Sequence, residues 1–353
     1  MLHKNRTCGW VIAFLLVTTG CQEKSNNGSG KTAKQSPFFP SEITLKEHVN
    51  DGQLMELQDE RLVFKDQQGD EWVAPKGTLT DGASIPRLAL TITDDRHRRE
   101  FLKAAVLHDA YCGIANKNVP GSPWRTRPPE KAHRMFLEAM IDGKTEHVLA
   151  HTMYAAVLIA GEEQNCPLEE VREISDESLL REFTSTRTWI AKIRPSPDEI
   201  ETRIKRRGPT VKKLDMLERR VSAALVSSAI PDAERLLREE EDLIDQELER
   251  FPGDSMLLNF KGSMHKNRAV VYRKKQDVIG FRAQLAKAKI TFKSIIVNDP
   301  EDPAALSGLG GASMLLNDLE SAEHLTRRAL DIAPRLNGAR LDLDEIVKRR
   351  SSD

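Results

Sequence analysis

Thr80-Asp81-Gly82-Ala83-Ser84-Ile85-Pro86 is followed, a short way along the chain, by Leu107-His108-Asp109-Ala110-Tyr111. The first stretch is a polar turn: its glycine tolerates positive φ and lets a ligand approach the backbone, and Pro86 fixes the exit. The second lies in a helix, because Phe101, Ala104, Ala105, His108, Tyr111 and Cys112 recur at three- and four-residue intervals and share one face. That spacing predicts His108 on the buried side. Asp109 falls one step round, near the edge of the apolar face, where a carboxylate is costly unless it is paired, hydrogen-bonded or bound to a metal. Gly113 is the expected stop of the helix.

Outward from this pair of stretches the pattern is mixed. Upstream, Leu54 to Leu57, Arg61 to Lys65 and Glu71 to Ala74 alternate apolar and polar residues around a turn at Asp66 to Asp70, which predicts a small antiparallel sheet bracing the polar turn. Downstream, a second helix is expected from Pro128-Pro129 to near Gly143, and a third from Glu146 to Ala160, stopping at Gly161. The expected fold is an α+β N-terminal module, a small antiparallel sheet plus three helices, followed by an all-α helical-repeat module. Its divisions are a signal peptide over 1–20, a flexible tether over 21–45, the α+β module over 46–161, a charged helical linker over 162–214 and helical repeats over 215–353.

Thr80 to Pro86, His108-Asp109 with Tyr111, Ala132 to Phe136, and Met153-Tyr154 to Gly161 follow one another in an order that resembles the family catalogued as domain of unknown function 1353, found in tailed phages and bacteria. The resemblance spans roughly residues 54–161 and implies no established activity. A weaker likeness, of a glycine-containing loop before a His-Asp helix with a nearby Tyr, is to the secreted calcium-dependent phospholipase A family. It implies that His108 draws a proton from water, that Asp109 holds calcium and that Gly82 lends a loop carbonyl. A base within reach of water, beside a cation that polarises a carbonyl, is a recurring route to ester hydrolysis. The candidate catalytic set is then His108, Asp109, Tyr111 and Ser84, with Asp81 and Gly82 in the loop and calcium or zinc at Asp109 and Gly82. His133 stands in the second helix where the first resemblance implies an Asp, the natural carboxylate to orient His108. A structural reading stands beside the catalytic one: a buried His108 ring bonded to a carboxylate or to the Ser84 loop, holding sheet to helix. His133 is either exposed or a further donor with His108 and Asp109, and His147 with His151, four apart, is either a surface pair or a chelate.

The N-terminus reads as a targeting segment. His3, Lys4 and Arg6 give a basic start, Trp10 to Val17 an apolar run too short for a comfortable span, and Thr18-Thr19-Gly20-Cys21 a cleavage site of bacterial lipoprotein type. Lipid on Cys21 would anchor the chain in the bacterial cell envelope, on a periplasmic or outer-membrane face; Gln22, by resemblance to enterobacterial sorting rules, points to the outer membrane. The polar stretch from Gln22 to Pro40 would be the tether. With 353 residues, 30% charged, 5% aromatic and a net charge of -1, the body is expected to hold two folded modules and carries no nucleic-acid footprint. Cys112 and Cys166 remain beyond the signal, as a disulfide in an oxidising envelope or as two free buried thiols.

Lys205-Arg206-Arg207-Gly208-Pro209 and Lys212-Lys213 form a basic cluster, read as solvated linker or as a contact for anionic headgroups. Pro303 to Pro334, with Leu306, Leu309-Gly310, Ala322 and Ala329, looks like a tetratricopeptide repeat, whose unit is about 34 residues. Gly310 and Ala322 would let its two helices approach. Pro252 to Pro300 exceeds one period, so the unit between them carries longer helices or an insertion around His265 to Gln276. Such arrays present a groove to a peptide or another protein, or stack for purely structural reasons. Three functions fit these residues: an envelope lipoprotein that assembles with partners through its repeats, a calcium- or metal-assisted hydrolase of lipid or peptidoglycan, and a phage-derived protein affecting phage adsorption or DNA entry.

Overall fold

The computed structural model describes residues 38–48, 51–81, 98–164 and 174–351. Its strands are β1 (Phe38–Phe39), β2 (Leu45–His48), β3 (Asp51–Leu57), β4 (Arg61–Lys65), β5 (Glu71–Pro75) and β6 (Leu79–Thr80). They form two antiparallel three-stranded sheets, ordered β1-β4-β5 and β2-β3-β6, where the alternation predicts one. The reason lies after Leu57: its N–H donates to the Thr78 carbonyl and its carbonyl accepts from Gly77, which draws β3 to β6 instead of β4. A period of two marks strands but does not name their partners. In the first sheet Phe64 faces Trp72 and Leu62 faces Ala74, all four buried. Asp66 shapes their turn, accepting the Gln68 and Asp70 N–H groups at 3.1 and 2.8 Å and the Trp72 indole N–H at 2.8 Å.

Helix α1 (Arg98–Cys112) packs against β4, β5 and β6 on one side and α2 (Pro129–Asp142) on the other. Covered from both directions, it is buried all round from Ala104 to Cys112, so Asp109 is inside the core and not at its edge. α2 begins at the prolines and ends at Gly143, as the spacing predicts. α3 (His147–Gln164) runs through Gly161, the expected stop. An interior glycine costs a helix only about 1 kcal/mol, and the face from Ala150 to Ile159 is buried enough to carry the helix past it.

The rest is helical: α4 (Asp176–Ile193), α5 (Pro197–Val226), α6 (Ile230–Arg250), α7 (Ser255–Lys274), α8 (Val278–Asn298), α9 (Pro303–Leu315), α10 (Leu319–Ile332) and α11 (Asn337–Arg350). Asp254, Asp277, Asp302 and Asp318 cap α7 to α10, each accepting a backbone N–H three residues on. Longer helices, not an insertion, account for the wide spacing before Pro300: α7 and α8 have 20 and 21 residues against 13 and 14 in α9 and α10. Gly310 faces α10 as expected, with no room for a side chain, since a Cβ would lie 2.5 Å from Thr326 Oγ1.

The stretch read as a charged linker, 162–214, holds α4 and the first half of α5 in its described residues, and both are packed. Its charges meet one another inside the protein. Arg207 is 2% exposed and forks between Glu182 of α4, at 2.7 and 2.9 Å, and Asp254, at 2.7 and 3.0 Å. A buried charge looks like a solvated one in sequence, which is why the run reads as linker. α4 lies along α5, α7 and α9, and Glu177 at its start accepts the Gly338 N–H of α11 at 2.8 Å. One apolar cluster runs from Phe38 to Val271, smaller ones lie among the last helices, and 36–353 form one compact unit.

Candidate functional site

β6 ends by delivering Thr80 to the buried flank of α1, and α2 brings His133 to the other flank. Thr80 Oγ1 donates to Asp109 Oδ2 at 2.6 Å. Asp109 Oδ1 stands 3.7 Å from His108 Nδ1, beyond hydrogen-bond length but within the reach of an ion pair. On the far side of its ring, His108 Nε2 is 2.9 Å from His133 Nδ1, so one nitrogen donates and the other accepts. The two rings lie 5.1 Å apart, nearly stacked, and Phe136 closes over His108 at 5.0 Å. Thr80, Asp109, His108 and His133 thus form a continuous polar line through an apolar core, with exposures of 1, 1, 3 and 6%. Burial, and then the neighbouring His108, pull the His133 imidazole down to about 3, which keeps it neutral at physiological pH.

Of the residues that the sequence singles out, His108 and Asp109 share this line. Tyr111 turns away from it: its hydroxyl accepts the Val73 N–H at 3.1 Å and its ring meets Trp72 edge-on at 4.8 Å, bracing α1 on β5. Asp81 follows β6 and is half-buried, while Gly82 and Ser84 lie outside the described residues. Cys112 is buried and disulfide-bonded; Cys166, like Cys21, lies outside the described residues. Two members escape a sequence reading. Thr80 sits in the stretch quoted first but carries no motif of its own. Asn116, in a short 3-10 turn (Ile114–Asn118), exchanges two hydrogen bonds with Leu79 and donates a third to the Asp109 carbonyl at 2.8 Å, tying β6 to α1.

His108, Cys112 and His133 bring two nitrogens and a sulfur within 4.8 Å of one another. Imidazole and thiolate suit zinc, whereas calcium takes oxygens. In its disulfide Cys112 has no thiolate to give, so the trio offers two ligands as oxidised and three as reduced. His147 and His151 do not converge as a chelate would. Their rings stack at 3.9 Å, and the buried His151 directs Nδ1 to the His147 carbonyl at 2.8 Å.

Residues 55–157, from β3 to α3, match the family model described as protein of unknown function (DUF1353). Two curated proteins of Sinorhizobium fredii are similar over part of their length. The uncharacterized protein y4jT is 31% identical over 111 residues, which cover 31% of this chain and 30% of that one. The uncharacterized protein y4iH is 32% identical over 98 residues, 28% of this chain and 37% of that one. The chain therefore spans about a third of the length of these relatives. No solved structure matches.

Proposed function

We propose that the protein is a bacterial envelope lipoprotein, lipidated on Cys21, that acts in assembly: a tetratricopeptide-like array meets a protein partner, and the α+β module travels with it as one body. The observation that carries this reading is the course of α4. It occupies the side of the array lined by α5, α7 and α9, where a repeat groove would take a peptide. Arg181 of α4 forks onto Glu218 of α5 at 2.7 and 3.2 Å and reaches Ser263 of α7 at 3.2 Å. With the inner side filled by the chain itself, the outer helices are left for a partner. Metabolic labelling with palmitate should mark wild type and spare Cys21→Ser. A photo-cross-linker at His324, on the outside of α10, should give one discrete adduct in cells, and the same group at Ser307, beside α4, should give none. Silence at both positions would sink the assembly role.

A second reading, a hydrolase of lipid or peptidoglycan, is favoured by the His108–His133 contact. His133 stands at His108 Nε2, the place where an orienting carboxylate is implied, and a neutral imidazole accepting there would fix the His108 proton at Nε2. The Nδ1 lone pair, on the Asp109 side, is then free of a proton and able to take one from water. On this reading His108→Ala abolishes hydrolysis of phospholipid or peptidoglycan by the purified protein, while His133→Asp preserves or raises it. Folded wild type that hydrolyses neither substrate would remove this reading.

A further inference from the structure

We propose that the outer face of α8 rests on an anionic lipid surface, as a peripheral contact. α8 is apolar on two opposite faces. Leu285, Ala288, Phe292 and Ile295 are buried in the array, as its packing requires. On the opposite side Ile279, Ile290 and Val297 are 84, 70 and 81% exposed, and their spacing of three and two turns puts them in one line along the helix. Arg282, Lys287, Lys289 and Lys293 flank that line on both sides, and α8 contains no acidic residue.

The line is a property of α8 and not of the array. The other outer helices expose mixed charge: Asp232, Arg235 and Asp242 on α6, and Glu320, His324 and Arg327 on α10. The polar groups beside the line on α8 each place one donor on the backbone of the helix itself. Thr291 Oγ1 donates to the Lys287 carbonyl at 3.0 Å, Ser294 Oγ to the Thr291 carbonyl at 2.7 Å, and Asn298 Nδ2 to the Ser294 carbonyl at 2.9 Å. Those bonds lower the penalty of moving these side chains out of solvent.

Cations of one sign around an apolar line match phosphate headgroups over acyl chains. A second copy would set the same four cations against themselves, which disfavours self-association through this face. Among the described residues no helix is long and apolar enough to cross a membrane, so the contact lies in the interface plane. The inference extends the membrane attachment proposed above without depending on lipid at Cys21, since α8 supplies its own affinity.

The test uses the unlipidated chain from Gln22 onward, which contains the whole compact unit from Ser36. It should sediment with vesicles of equal parts phosphatidylglycerol and phosphatidylcholine, release as salt rises, and stay in solution with phosphatidylcholine alone. Ile290→Glu should lower binding at least tenfold. Lys287→Gln and Lys293→Gln should each lower it about fivefold. These side chains are exposed, so unchanged circular dichroism is expected of each variant. Folded wild type that ignores anionic vesicles, or binding that Ile290→Glu leaves intact, overturns the proposal. So does a wild-type dimer that Ile290→Glu turns into monomer, which would give the face to a second copy. Palmitate labelling of Cys21 is read separately, so loss of the anchor and loss of this contact are told apart.

Discussion

Arg207 shows how a single side chain decides between a linker and a core. It lies in a run of basic residues, yet the carboxylates that neutralise it come from α4 and from the cap of α7. Burial works against the Asp254 carboxylate, but Arg207, by charge and hydrogen bond, together with Arg203 holds it below its ordinary range. Arg207→Met leaves Glu182 buried without its cation and Asp254 with Arg203 alone, and the expected loss is about 3–5 kcal/mol, read from urea unfolding. Two other buried groups oppose each other in pH. Burial raises Asp302 to about 6, so its contribution is present at low pH and is lost as pH rises from the unfolded value toward 6. His133, held near 3, contributes above pH 6.5 and loses that contribution as pH falls. Asp302→Asn keeps a capping acceptor and should gain on the order of 2 kcal/mol over wild type at pH 7.5, with the gain shrinking as pH falls and gone below the unfolded value. His133→Gln should flatten the acid side of the same profile. Melting curves of the three proteins across this range check both signs.

At the scale of elements, Phe292 is the wedge of the repeat region. A Cβ on Gly262 of α7 would lie 2.5 Å from its Cε1, and one on Gly308 of α9 would lie 2.3 Å from its Cζ. Gly308→Ala is therefore expected to cost about 1–3 kcal/mol by overpacking. Phe292→Leu in the same chain should recover part of that cost, and a double-mutant cycle measures the coupling. This closeness was half legible in sequence, since Gly310 and Ala322 announce a tight helix pair, while a contact across three helices has no local pattern. β4, β5, α1 and α2 were legible because alternation and three-to-four spacing are local. The pairing of β3 with β6, the full burial of α1 and the passage of α3 through Gly161 were not, because each depends on what covers the element. The site divides in the same way. His108 and Asp109 stand out as a pair, and Cys112 four residues on could be placed beside His108 by helix geometry. His133 as its partner needed the second helix in place, and Thr80 and Asn116 reach Asp109 only through the fold.

At the scale of the whole molecule, the question is whether the α+β module and the helices form one cooperative body. Two sets of contacts say they do. Arg134 of α2 reaches Asp198 and Glu201 at the start of α5, where Tyr154 of α3 also donates to Glu201. Beneath these polar ties the core is continuous from Trp72 and Phe101 through Leu179 and Ile204 to Phe260, so opening either part exposes apolar surface of the other. α4 then carries the connection on to the last helices, through Arg187 and Thr188 on Asp299 and Glu177 on Gly338. A chain with a solvated linker would melt in two steps, the array apart from the module. Calorimetry on the chain from Gln22 should instead give one transition, with the calorimetric and van't Hoff enthalpies in agreement. Glu201→Ala with Arg181→Ala, which cuts ties on both sides of α4 and α5, should lower the melting temperature of the whole transition before it splits it. Two resolved peaks in wild type would return the protein to independent modules, and would leave α4 as a strut of the array alone.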